Sequence, residues 1–367
     1  MNSSSRIESL DVARAIALFG VVVMNFHAYL NGAESMYSTQ PSVWERMFNP
    51  LTGPLTTRFA ATFVLIAGIG VSLFTQRARA SKSHADIQRA RIILLRRGAL
   101  LYIWGYFVQW IWPGTILFYY GAYFIIAAFV FAWSSRHLIY LCVASIVAAA
   151  CLSWWRASQL LDGNNTRWLS PSPDTPRNLL IRTFVDYTHP VFPWIAFFIA
   201  GIVLGRYIHQ LKELRLRLMF AAILLTVATH AANFVFTPHY PGSDHDFLLA
   251  KLVSTQPLDR GMLFSLGTLA TAVVALCFVS LVVERVPHLA LTQLFARVGR
   301  MTLSVYLLHV IFFNLLVHQL HWVGATGLDT ALVLSLSFYV IALLLSNEWN
   351  KRFGLGPAER AYRIFGG

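Results

Sequence analysis

The residues able to do chemistry are polar groups set in long apolar stretches. Asp11 and Arg14 open one stretch, and Asn25 and His27 lie near its other end. Arg14 and Asn25 are eleven residues apart. On a helix that is about three turns, so the two share one face roughly 16 Å apart along it. His27 projects in another direction. Such a stripe suits a ligand that reaches along the helix, with a cation at one end and an amide at the other. It equally suits an Asp11–Arg14 pair at a helix start and an interhelical asparagine hydrogen bond.

A second group is Asp186-Tyr187-Thr188-His189-Pro190-Val191-Phe192-Pro193-Trp194. Asp186 and His189 are at i and i+3, where a carboxylate can orient an imidazole and raise its basicity. Pro190 and Pro193 limit backbone pairing there, as at a helix end lining a cavity. A capped helix start with an interfacial histidine fits the same residues. Arg58 begins another apolar stretch and either holds an anionic or carbonyl group or snorkels. His230 and Asn233 are read as interhelical glue. His309 is expected to lie deep in the membrane, packed inside the bundle.

The elements that carry these groups are membrane helices. Charged residues are 12% of the chain, against about 25% in soluble proteins. Hydrophobic residues are 57%, and the mean hydropathy is +0.58. The net charge of +13 comes from basic residues that flank apolar segments and do not form one face, which excludes a nucleic-acid binder. The three cysteines, Cys142, Cys151 and Cys277, lie in apolar stretches and are read as small core residues. No cysteine or histidine spacing suggests a metal site.

A span needs about 20 mostly apolar residues. Ten candidates run approximately over 10–30, 56–75, 95–112, 116–133, 136–156, 188–206, 217–236, 261–284, 302–321 and 327–347. The expected fold is therefore an all-α polytopic bundle forming a single domain over 1–367. Basic residues crowd the connections after spans two, six and eight and the C-terminal tail. The opposite side carries only Arg46 between spans one and two, and none between three and four or nine and ten. By the positive-inside rule both termini are expected in the cytoplasm. Charges at Arg6, Glu8, Asp11 and Arg14 argue against a cleaved signal peptide.

Several stretches resemble one family. Leu10-Asp11-Val12-Ala13-Arg14-Ala15-Ile16-Ala17 with Val23-Met24-Asn25 is similar to the first span of membrane acyltransferases related to heparan-alpha-glucosaminide N-acetyltransferase. Arg58 through Phe63 with Ala67-Gly68-Ile69-Gly70 resembles their second span. Gly114 to Gly121, Pro190 to Trp194 with Gly201 and Gly205-Arg206, and Gly299 to His309 also look like family blocks. The ending Gly356-Pro357-Ala358-Glu359-Arg360 with Arg363 resembles the bacterial YeiB-like branch. The likeness covers nearly the whole chain, and its specificity lies in the order of short motifs.

The resemblance implies transfer of an acyl group, usually acetyl, from cytoplasmic acyl-CoA to a hydroxyl or amine of a sugar or similar acceptor outside. Asn25 matches the family asparagine. The heparan enzyme has its catalytic histidine shortly after that position, whereas Ala28 to Met36 here contains none. The expected catalytic group is therefore His27 and Asn25, with His189 and Asp186, His27 ranking first as base. Arg14, Arg96, Arg97 and Arg300 are expected to hold acyl-CoA phosphates, although each also fits the positive-inside bias. Arg58, Tyr187 and Trp194 are expected at the acceptor. Expected partners are the lipid bilayer, acyl-CoA, a saccharide or other small acceptor, and a second copy of the chain in a homodimer. No metal or nucleic acid is expected, and the location is the bacterial inner membrane. The rival reading is a transporter or flippase for a lipid-linked or small polar substrate, which ten spans with buried polar groups also suit.

Overall fold

The computed structural model describes residues 8–31, 43–164, 174–238, 242–324 and 328–367. Among them there are helices and no strand. In chain order the α-helices are α1 (Glu8–Asn31), α2 (Val43–Phe48), α3 (Arg58–Ser81), α4 (His84–Val108), α5 (Leu117–Val130), α6 (Ser135–Leu161), α7 (Pro176–Phe184) and α8 (Val191–Arg206). They continue with α9 (Leu211–Phe236), α10 (Asp244–Leu252), α11 (Met262–Arg285), α12 (Ala290–Gly299), α13 (Thr302–Phe313), α14 (Leu328–Phe353) and α15 (Pro357–Gly366). A π-helical turn, Asn314–Gln319, prolongs α13.

Six described helices are long and apolar enough to cross a membrane: those over Glu8–Leu30, Ser135–Leu161, Ile208–Phe236, Met262–Arg285, Thr302–Gln319 and Thr330–Phe353. Shorter apolar helices are Arg58–Phe74, Leu117–Val130 and Val191–Arg206. The expected span at 95–112 lies in α4, where Arg89, Arg91, Arg96 and Arg97 dilute the apolar run. The chain is thus a polytopic helical membrane protein. Large apolar side chains recur on the exposed faces of α6 (Tyr140, Val143, Val147, Trp154), α9 (Phe220, Leu224, Val227) and α14 (Val333, Leu336, Val340, Leu344). A bilayer removes the cost of that exposure. Cys151 also lies on an exposed face of α6, so it is not the core residue expected; Cys277 is buried, and all three cysteines are free.

Within 1–367, expected to form a single domain, there are two compact units, Met1–Phe63 with Ala275–Ile364, and Val64–Val274 with Phe365–Gly367. In the first, α1 packs against α12, α13 and α14. Phe26 fills its centre, ringed by His309, Phe313 and Phe338 at 5.1–6.0 Å between centroids. Tyr339 on α14 donates to the carbonyl of Ala15. Gly299, at the end of α12, lies against the Asp11 carbonyl, and a Cβ there would collide with it. That close approach sets Arg300 beside α1. In the second unit α4 packs along α5, and α6 along α8 and α10.

Candidate active site

In the first unit α1 presents Asn25 and α13 presents His309. Asn25 Nδ2 lies 3.2 Å from His309 Nε2. His309 Nδ1 faces the carbonyl of Tyr306 on its own helix. A carbonyl only accepts, so Nδ1 carries the proton, and in the neutral ring Nε2 has the lone pair. Asn25 then donates its amide N–H to Nε2. The result is an imidazole in one tautomer, fully buried, with its basic nitrogen directed at an amide donor. Two features fix α13. Glu359 on α15 accepts from the backbone N–H groups of Leu303 and Ser304, at 2.6 and 3.2 Å, and from the Ser304 hydroxyl. This is a carboxylate cap on a helix N-terminus. The stacking of His309 on Phe26 then sets the ring.

His27 is also fully buried. Its Nδ1 donates to the Val23 carbonyl at 2.6 Å, and its ring stacks on Phe48 of α2. It faces a different way from Asn25, as helical spacing predicts.

At the other end of α1, Asp11 holds both Arg14, at 3.4 Å, and Arg300, at 3.7 Å. The expected helix-start pair therefore forms, and it recruits a second arginine that the sequence places among the phosphate-binding candidates. Both guanidiniums keep solvent access, at 27% and 37% exposure.

In the second unit Asp186, Tyr187 and His189 occupy the connection between α7 and α8. The expected Asp186–His189 hydrogen bond does not form, because 185–190 is not helical and i,i+3 residues do not face one another there. Instead Asp186 binds Arg260 and, at 3.0 Å, Arg156. Arg260 also donates to the Tyr187 carbonyl, and the Arg182 guanidinium lies 3.6 Å over the Tyr187 ring. His189 packs edge-on against Trp194 with centroids 4.4 Å apart, and its carbonyl accepts from Tyr123 at 2.5 Å. Pro190 caps α8, whose first turn is interrupted at Phe192.

The remaining candidates are scattered. Arg58 opens α3. Arg96 is exposed on α4, and Arg97 stacks over Phe74 at 4.6 Å. The segment 32–36, where the family histidine is lacking, lies outside the described residues. No group of three or more metal-ligating side chains occurs among the described residues.

A family described as heparan-alpha-glucosaminide N-acetyltransferase, catalytic, matches residues 6–239. The chain belongs to this family. A second family, described as a protein of unknown function (DUF418), matches residues 206–365. No individually curated protein matches the chain. In this acetyltransferase-family chain Asn25 lies in the first match and His309 in the second. The pair that meets at 3.2 Å therefore joins the two matched regions.

The sequence places His309 inside the bundle but not beside Asn25, from which it is separated by 284 residues. Arg156, Arg182 and Arg260 are likewise absent from the expected site. The signal for them is their position: basic residues in or beside the long connections 157–187 and 237–260.

Proposed function

We propose that the chain is an integral membrane acyltransferase that moves an acetyl group from acyl-CoA to a hydroxyl or amine of a saccharide or similar small acceptor. The observation that carries this reading is the Asn25–His309 pair in a chain of the acetyltransferase family. Arg14 and Arg300 hold the donor's phosphates at the cytoplasmic end of α1. The thioester lies three turns along the helix, beside Asn25. His309 Nε2 takes the proton of the acceptor as its oxygen or nitrogen attacks the thioester carbon. The Asn25 amide leaves Nε2 and donates to the oxyanion that develops. As the carbon–sulfur bond breaks, the same Nε2 returns the proton to the departing thiolate. The Tyr306 carbonyl, accepting from Nδ1, holds the tautomer and supports the imidazolium between those two transfers.

In this scheme His309 takes the role of base, with His27 and His189 as the competing positions. His27 would then order α1 against α2, and Arg58, Tyr187, His189 and Trp194 would contribute to recognition. The orientation proposed is both termini inside, in a bacterial inner membrane. Reporter fusions at the C-terminus and within 157–187 should report opposite sides. The reading itself is tested by incubating purified protein with labelled acetyl-CoA and a panel of amino and neutral sugars. Thiol release with labelled product is expected. Absence of thiol release, with substrate moved across vesicles instead, would replace it with transport.

A further inference from the structure

Two arginines meet at a single carboxylate in the second unit, and a third lies over the neighbouring Tyr187 ring. Arg156 and Arg260 both contact the same oxygen of Asp186, Oδ1, and among the described residues no other carboxylate forms an ion pair with either. Arg260 also holds the Tyr187 carbonyl, whose ring carries Arg182. Lys251 and Asp259 nearby in sequence neutralise each other at 2.8 Å. The side chains of Arg156 and Arg260 are only 15% and 8% exposed. Burying charges that are not balanced costs several kcal/mol per ion, so a cluster of this sign is stabilised by an added anion.

Two further features point the same way. Arg260 sits in the left-handed backbone region at φ 49°, a conformation unfavourable for a non-glycine residue. The chain thus holds this guanidinium in place at some cost. Nδ1 of His189, three residues from Asp186, is buried and has no hydrogen-bond partner among the described residues.

We infer that Arg156 and Arg260 form an oxyanion-binding site in the second unit, which takes a phosphate or carboxylate group. Guanidinium forks match the paired oxygens of such groups, and Arg156 and Arg260 use only part of their five N–H donors each on Asp186 and Tyr187. The site borders Tyr187 and His189, which the acyl-transfer reading gives to acceptor recognition, but it does not depend on that reading, and phosphate binding is read without acyl transfer.

Inorganic phosphate is the probe. Purified full-length protein in neutral detergent and chloride buffer is titrated with phosphate while its thermal unfolding is followed. Phosphate should raise the unfolding midpoint, and Arg156→Gln should weaken the apparent affinity about tenfold. Arg156→Lys, which keeps the charge but loses the fork, should fall between. Asp186→Asn removes the competing carboxylate and should bind phosphate more tightly than wild type. Arg136→Gln, an exposed arginine at the other end of α6, should leave the response unchanged. Repeating the titration in phosphatidylcholine nanodiscs with and without phosphatidylglycerol separates the sources. Loss of phosphate binding with phosphatidylglycerol assigns the site to a lipid headgroup, and retention assigns it to a soluble ligand. No phosphate response in the wild type, or equal responses in wild type, Arg156→Gln and Asp186→Asn, overturns the site whatever the acetyl-CoA result.

Discussion

Asp11 and Asp186 each hold two arginines, and they do so differently. Arg14 and Arg300 approach Asp11 at 3.4 and 3.7 Å and stay 27% and 37% exposed. Arg156 and Arg260 close on one oxygen of Asp186 and are 15% and 8% exposed. Asp11 itself is only 3% exposed, so the contrast lies in the arginines: those at Asp11 are longer-range and keep solvent access, which weakens each pair. Tight, buried ones cost several kcal/mol to break, because the survivor is left as an uncompensated charge. The same three-residue arrangement is therefore looser at one site and tighter at the other.

The largest effect should follow from disturbing the tight cluster. Asp186→Asn in phosphate-free buffer should lower stability by about 3–5 kcal/mol, read from thermal or denaturant unfolding in detergent. Asp11→Asn should cost less than Asp186→Asn in the same assay, because its arginines sit farther away and keep solvent access. Equal losses would erase the contrast. Next, Arg14→Gln should weaken acyl-CoA binding about tenfold with little change in unfolding, since a hydrogen bond to a charged group contributes about 1.5–3 kcal/mol. An unchanged binding isotherm would remove Arg14 from the donor site. Smallest is the support of α13: Glu359→Gln should cost about 1 kcal/mol through the lost cap. It should slow turnover only modestly, because the Tyr306 carbonyl and Phe26 still set the His309 ring.

What the sequence discloses is what one helix or one connection contains. The Asp11–Arg14 pair and the different headings of Asn25 and His27 follow from helical spacing, and both are present. Helix spacing misleads at Asp186 and His189, because Pro190 starts a new helix and leaves the two residues in a non-helical link. Contacts between distant segments are not readable at all. Asn25 finds His309 across 284 residues, and Arg260 finds Asp186 across 74. The series of long apolar stretches predicts the all-helical membrane fold. It does not predict which motifs touch: Glu359 in the last block caps the helix begun by the Gly299–His309 block. The charge distribution marks the second cluster, but only once its arginines are counted with the long connections.

The central claim is that His309, positioned by Asn25, is the base. Its direct test is the rate of acetyl-CoA-dependent transfer in His309→Gln, His27→Ala and His189→Ala, with acyl-CoA binding measured in each. General-base removal typically costs about 10²–10⁴ in rate. His309→Gln should show that loss with donor affinity intact, while His27→Ala and His189→Ala should each lose far less. Near wild-type turnover in His309→Gln, with the large loss in His27→Ala or His189→Ala, would contradict the account.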